Sequence, residues 1–407
     1  MMTKQNVKTQ SVKGIYPVFL VYALFFMWGF TWNLFNVLAT FFQDEFKLTN
    51  TQTALGTSLS FLAFFLMSYP TKKIIARLGT KISISIGALI AAVGLFIFFP
   101  AASIKSYNLF LFGLFILFSG VTILQTVCNP YIGVLGELKN RAARINFAQG
   151  IGAVGAALTA PIAGWFILQL FKNDLFGGIK VFYLIMAGLF IMFAILVHYA
   201  NMPANPNDLV AEKSLTGEDR RGVFQYRHFV FGFVITFLYM GSEAILYQLM
   251  TPYFKVIGNI DNAEAVKYSA IIFYGLMTGR LLGAWSMTRF DPARILGWFT
   301  LIAAALVISS AAIGGMIGIY LITAIGFFIS ITFASLFALS TKDLGKYTND
   351  ASSLLVMAIS GGFFIPLIFG FVADSFSLKA SMIVIAIPLL LTSAYAFLFK
   401  FIEKTNH

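Results

Sequence analysis

Twelve long, continuously apolar stretches constrain this chain more than any other feature. They lie near 15–42, 52–70, 82–102, 108–136, 143–170, 180–201, 228–253, 266–287, 294–314, 317–340, 351–374 and 380–402. A helix of about 20 residues crosses a hydrocarbon core ~30 Å thick. In lipid every backbone donor and acceptor must be satisfied within the chain, which leaves helices and closed barrels. Barrel strands alternate apolar and polar residues; these runs do not, so helices are expected. Only 11% of the 407 residues are charged against 59% hydrophobic, whereas soluble domains carry about 25% charged residues. The chain reads as an all-α, multi-pass integral membrane protein.

Basic residues orient it. With a cytoplasmic N-terminus, 21 of the 28 Lys and Arg fall on the cytoplasmic side and 7 on the other, the bias that membrane topology follows. That placement accounts for the net charge of +12 without a nucleic-acid partner. Both termini are expected in the cytoplasm, with the bacterial cytoplasmic (inner) membrane as the setting. The opening MMTKQNVKTQSVKG lacks the short apolar core and small-residue cleavage site of a removable leader. Cys128 has no partner for an intramolecular disulfide, and His198, His228 and His407 have no ligand cluster, so neither a metal nor a cofactor is expected.

The longest polar segment, NMPANPNDLVAEKSLTGEDRRGVFQY from Asn201 to Tyr226, follows the sixth stretch. It predicts an N-terminal six-helix bundle over 1–200, a cytoplasmic linker over 201–227 and a C-terminal six-helix bundle over 228–407. The halves echo each other. QGIGAVGAALTAPIAG in helix 5 and VMAISGGFFIPLIFG in helix 11 are both small-residue helices ending in Pro and then Gly. Internal symmetry of this kind fits two bundles with a site at their interface.

Polar residues at membrane depth mark candidate sites, since an unpaired amide in hydrocarbon costs several kcal/mol. On helix 4, Gln125, Asn129 and Gly133 recur every fourth residue and share one face. Pro130 deletes a backbone donor and predicts a loosened turn there. On helix 1, WGFTWNLFN carries Trp28, Trp32, Asn33 and Asn36. Aromatic faces beside amides suit a polyhydroxylated ligand, whose C–H faces pack on indole while its hydroxyls pair with amides. Helix 5 adds Gln149 near Gly152 and Gly155. Helix 7 holds Glu243, with Tyr239 and Tyr247 four residues to either side. An intramembrane acid is a candidate proton carrier, cation ligand or substrate contact. Arg280 is expected at the cytoplasmic end of helix 8, snorkelling outward. No Arg or Lys is then expected deep in the cavity, which argues against phosphorylated or dianionic solutes.

Several of these segments carry a resemblance. FFMWGFTWNLFNVL on helix 1, FPAASIKSYNLFLFGLFILFSGVTILQTVCNPYIGVLG through helix 4 and RINFAQGIGAVGA on helix 5 match, as do FLYMGSEA, TGRLLGAW and SSLLVMAISGGFFIPLIFGFVAD. The chain resembles the fucose:proton symporter family of the major facilitator superfamily over nearly its whole length. The resemblance implies twelve helices in the major facilitator fold, a central sugar site between the halves and alternating access. It also places the family's essential helix 1 Asp and helix 4 Glu at Asn36 and Gln125. Those amides keep the outline of the acids but cannot titrate, so the usual proton relay is missing. Asn33 and Gln149 fall on polar sugar-site positions of the family, Trp28 on its helix 1 aromatic, and Glu243 on a polar helix 7 position.

Two mechanisms fit these residues: uniport driven by the solute gradient, or coupling to a proton or monovalent cation through Glu243. A metabolite exporter on the same fold is a third reading, though it fits a more apolar cavity. An enzyme would need a nucleophile, base or metal constellation that is not found. The expected partners are a small neutral solute and the lipid bilayer, with a monomer as the functional unit.

Overall fold

The computed structural model describes residues 15–32, 34–48, 50–134, 138–200 and 222–404. Asn33 and most of the expected linker lie outside the described residues. So does the side chain of Asn36, although its backbone belongs to a helix.

The described residues contain helices and no strand, as continuous apolar runs require. In chain order come α1 (Ile15–Trp32), α2 (Leu34–Glu45), α3 (Asn50–Ser103), α4 (Tyr107–Val134), α5 (Arg141–Gly164) and α6 (Leu175–Tyr199). They are followed by α7 (Arg227–Gln248), α8 (Met250–Gly258), α9 (Asn262–Ser286), α10 (Pro292–Ile313), α11 (Gly315–Ile329) and α12 (Thr332–Ser340). The chain ends with α13 (Thr348–Met357), α14 (Gly361–Ser375), α15 (Leu378–Ser381) and α16 (Ile383–Lys404). Among the described residues, nine helices are long and apolar enough to cross a membrane. Val18–Trp32 is a shorter apolar helix, and α9 is a further helix of 25 residues.

The second and third stretches are the two helical arms of α3, which meet at a kink. The break comes at Gly79, with φ 75° and ψ 174°, a conformation essentially restricted to glycine. Helix 4 continues through Pro130 to Val134 as one element, within the apolar stretch expected over 108–136.

Large apolar side chains face outward along the long helices. Trp165, Trp298, Leu367 and Phe371 are all more than half exposed, a surface that lipid would cover. Inside, small residues let backbones touch. A Cβ at Gly29 of α1 would collide with the carbonyl of Gly152 on α5, and one at Gly361 of α14 with the carbonyl of Phe237 on α7. Helices 5 and 11, similar in sequence, are thus both built around backbone contact.

Elements before residue 200 pack mainly on one another: α3 on α4 and α6, and α1 on α5. Those after 227 do likewise, α10 on α11 and α16, α9 on α11, and α7 on α14 and α16. The two sets meet where α5 touches α9 and α12, and where α13 touches α3 and α4. Polar bonds stitch this seam near its basic end. Arg141 donates to the carbonyl and hydroxyl of Thr341 at 3.0 and 2.9 Å. Asn146 donates to Ser335 at 3.2 Å, and Lys72 pairs with Asp350 at 2.8 Å.

Candidate solute-binding cavity

A cavity with about 840 Å³ of empty space, counted out to its open end, lies where α1, α4 and α5 face α7, α9 and α12. One part of its wall is aromatic and aliphatic: Trp28 and Trp32 from α1, the alanines of α5, and Phe273 and Phe333 opposite. The other part is polar: Gln125, Gln149, Glu243, Tyr247 and Arg280.

All of these polar groups but Gln125 have side-chain partners in or behind the wall. Asn129 donates to the carbonyl of Gln125 one turn earlier, at 2.9 Å, and accepts from Gln149 Nε2 at 3.0 Å. The every-fourth-residue stripe of helix 4 is therefore directed at α5, and its next member, Gly133, accepts from Arg144 of α5. Among the described residues the Gln125 side chain has no hydrogen-bond partner, which leaves its amide for the cavity. Trp28 rests on Phe25 with ring centroids 4.1 Å apart. Trp32 is boxed by Phe61, Phe64 and Phe118, the last edge-on at 5.3 Å.

On the facing wall, Tyr247 donates to Glu243 Oε1, and Arg280 lies 3.5 Å from the same oxygen. Helix α11 stops at Ile329 and α12 begins at Thr332, so carbonyls at this break lose their helical partners. Two side chains take them: Tyr239 donates to Ile329 at 3.0 Å, and Arg280 Nε to Ser330 at 3.0 Å.

Of the residues singled out in the sequence, Trp28, Trp32, Gln125, Gln149, Glu243 and Tyr247 come together on one cavity. Asn129 and Tyr239 are buried a layer behind the wall, each hydrogen-bonded as described. Arg280 corrects the sequence expectation: it lines the cavity and does not snorkel. It precedes the end of α9 by six residues, about 9 Å of rise, and its Cα–Cβ bond tilts toward the helix N-terminus, away from the near surface. Asn146 was not singled out, yet it joins α5 to Ser335 of α12 and to Met287 Sδ at 3.2 Å. Its place three residues before Gln149, on the same helix, was the available signal.

The model of the Major Facilitator Superfamily matches residues 20–365. The glucose/galactose transporter of Brucella abortus biovar 1 (strain 9-941) is 32% identical over 367 residues, 88% of each chain. The L-fucose-proton symporter of Escherichia coli (strain K12) is 30% identical over 388 residues, 90% of this chain and 89% of its own. The crystal structure of the transporter FucP in its outward conformation superposes with a TM-score of 0.84 at 28% identity, covering 95% of this chain and 99% of that one. The chain belongs to the Major Facilitator Superfamily: it is an integral, multi-pass membrane transporter, not an enzyme.

Proposed function

We propose that the protein carries a small neutral polyhydroxylated solute, a hexose or a polyol, across the bacterial cytoplasmic membrane by alternating access. The carrying observation is the mixed lining of the cavity, where indole, phenyl and aliphatic groups stand among Gln125, Gln149, Glu243, Tyr247 and Arg280. A pyranose presents the same two kinds of surface, C–H faces that pack on indole and a rim of hydroxyls that pair with polar side chains. Relatives named for glucose, galactose and L-fucose support a sugar.

In this reading the chain makes twelve spans. The first is α1 with α2, and the second and third are the two arms of α3. The seventh is α7 with α8, the eighth α9, and the tenth α11 with α12. Residues 1–200 and 228–407 form six-helix bundles joined by 201–227, with both termini on the basic, cytoplasmic side. Trp28, Trp32, Asn33, Asn36, Gln125, Gln149 and Tyr247 bind the solute, while Asn129 and Tyr239 position the wall. A single chain is the transport unit. With amides at 36 and 125, the solute gradient drives transport, without a proton or a cation.

Exchange of labelled D-glucose, D-galactose or L-fucose in proteoliposomes, with no pH or sodium gradient, tests this. Exchange is expected for at least one of the three and is lost in Gln149→Ala. Uptake that occurs only under an ion gradient would overturn the uniport mechanism. No exchange and no thermal stabilisation by any neutral sugar or polyol would end the sugar reading.

A further inference from the structure

Arg280 reaches three other elements at once. Its guanidinium is 3.5 Å from Glu243 Oε1 on α7. Its Nε donates to the Ser330 carbonyl at 3.0 Å in the break between α11 and α12. Its Nη1 donates to the carbonyl of Gln149 on α5 at 3.3 Å. The first two partners follow residue 227 in the chain, and the third precedes residue 200. The Arg280 side chain is 16% exposed and that of Glu243 4%. A charge so enclosed needs a partner, because stranding one member of a buried pair is far costlier than removing both.

The groups around the carboxylate are few. Tyr239 and Tyr247 approach it from its own helix, and Arg280 from α9. The break before α12 presents the Ser330 carbonyl to Arg280 and the Ile329 carbonyl to Tyr239, and α5 presents Gln149 to the shared cavity. Arg280 is the only permanent charge among them.

We infer that Arg280 ties the two bundles together beside the solute, and that Glu243 is its fixed counter-charge and not a carrier of protons. The pair is neutral as a unit, so it can travel with α7 and α9 without exposing net charge to apolar surroundings. Of the three arms only the one to Gln149 crosses between bundles, so Arg280 gives up one bond when the seam opens, alongside those of Arg141, Asn146 and Lys72. Its acceptor is the backbone of the residue whose side-chain amide faces the cavity. A solute that engages Gln149 therefore acts on the segment to which Arg280 is anchored. The inference rests on the alternating-access reading above and names the residues through which occupancy reaches the seam between the bundles.

Two measurements test it. The first compares wild type, Glu243→Gln, Arg280→Gln and the double variant for D-glucose exchange in proteoliposomes, each checked for cooperative thermal unfolding. Glu243→Gln strands the guanidinium and should lower exchange by about tenfold or more, while adding Arg280→Gln should restore roughly threefold or more. A folded double variant as inactive as Glu243→Gln would overturn the inference. The second measures distances by pulsed electron paramagnetic resonance between spin labels at Arg77→Cys and Lys346→Cys, both exposed and in different halves. Cys128 is buried and can stay in place. Arg280→Gln should lengthen the mean distance without sugar; an unchanged distribution would sink the tie. If wild type exchanges none of the sugars, the sugar reading fails while the distance measurement still decides this one.

Discussion

Gln149 on α5 donates a 3.0 Å hydrogen bond to the side-chain carbonyl of Asn129 on α4. Asn129 is in turn fixed by its own bond to the Gln125 backbone at 2.9 Å. The amide that lines the cavity is thus aimed by an amide buried behind its wall.

Removing the aiming group should weaken binding without abolishing it. We predict that Asn129→Ala lowers sugar affinity by about 1 kcal/mol, roughly fivefold, since of its two lost hydrogen bonds one is the bond that aims Gln149. Gln149→Ala should be more severe. Titration calorimetry on the two variants checks the order, and equal losses would mean that Asn129 contacts the solute itself.

The polar seam contains contacts of unequal worth. Lys72 and Asp350 are 43% and 31% exposed at their side chains, and such pairs contribute about 0–1 kcal/mol. Arg141 makes two bonds to Thr341 from a more enclosed position. Arg141→Ala should therefore favour opening of the basic side by about 1–3 kcal/mol, and Lys72→Ala by much less. Cysteine accessibility at the basic end would distinguish them, and a larger effect from Lys72→Ala would contradict the ranking.

Asp291 predicts a pH dependence outside the membrane. It caps α10 by accepting from the Ala293 N–H at 3.0 Å, and it pairs with Lys400 at 2.8 Å. Partial burial pushes its carboxyl up, but the Lys400 hydrogen bond, the Ala293 N–H and the charges of Lys400 and Arg294 together outweigh it and hold the group below its ordinary value. A depressed folded value means the stabilisation is complete above the unfolded carboxyl range, about 3.9, and fades as pH falls through the folded value. Asp291→Asn, which keeps a capping side chain, should lower the melting temperature at pH 7. The gap from wild type should close as the pH drops below about 4. A gap that persists unchanged in acid would show that the pair is not its source.

The glycine contacts allow a stability test. Gly361→Ala sets a methyl against the Phe237 carbonyl, and overpacking of this kind costs about 1–3 kcal/mol or more. Gly370→Ala, with open space around it, should be tolerated. Melting temperatures of the two purified variants give the comparison.

Much of this was legible in the chain because membrane depth restricts both backbone and side chains. The tryptophans of α1, the amides of α4 and α5 and the lone acid of α7 stood out, since such side chains are rare amid long apolar runs. Arg280 departs from expectation although α9 ends at Ser286, close to the expected 287: six residues still separate it from that end, and its Cα–Cβ bond tilts inward, so the side chain reaches the wall and not the surface. The interruption at Ser330–Ile331 could not be read either. Its sequence, FFISITFAS, holds no proline or glycine, and the break is held by Tyr239 and Arg280, distant in the chain. Partnerships between remote residues leave no local periodicity to find.

Backbone touching backbone at Gly29–Gly152 and Gly361–Phe237 has a mechanical consequence. No side chain lies between those surfaces to change rotamer, so neither junction can slide in small steps. The joint through Arg141, Asn146 and Arg280 consists of exchangeable bonds whose donors water can satisfy once they part. Under load the molecule should yield along that wettable line, while the glycine-locked pairs swing as solid pieces.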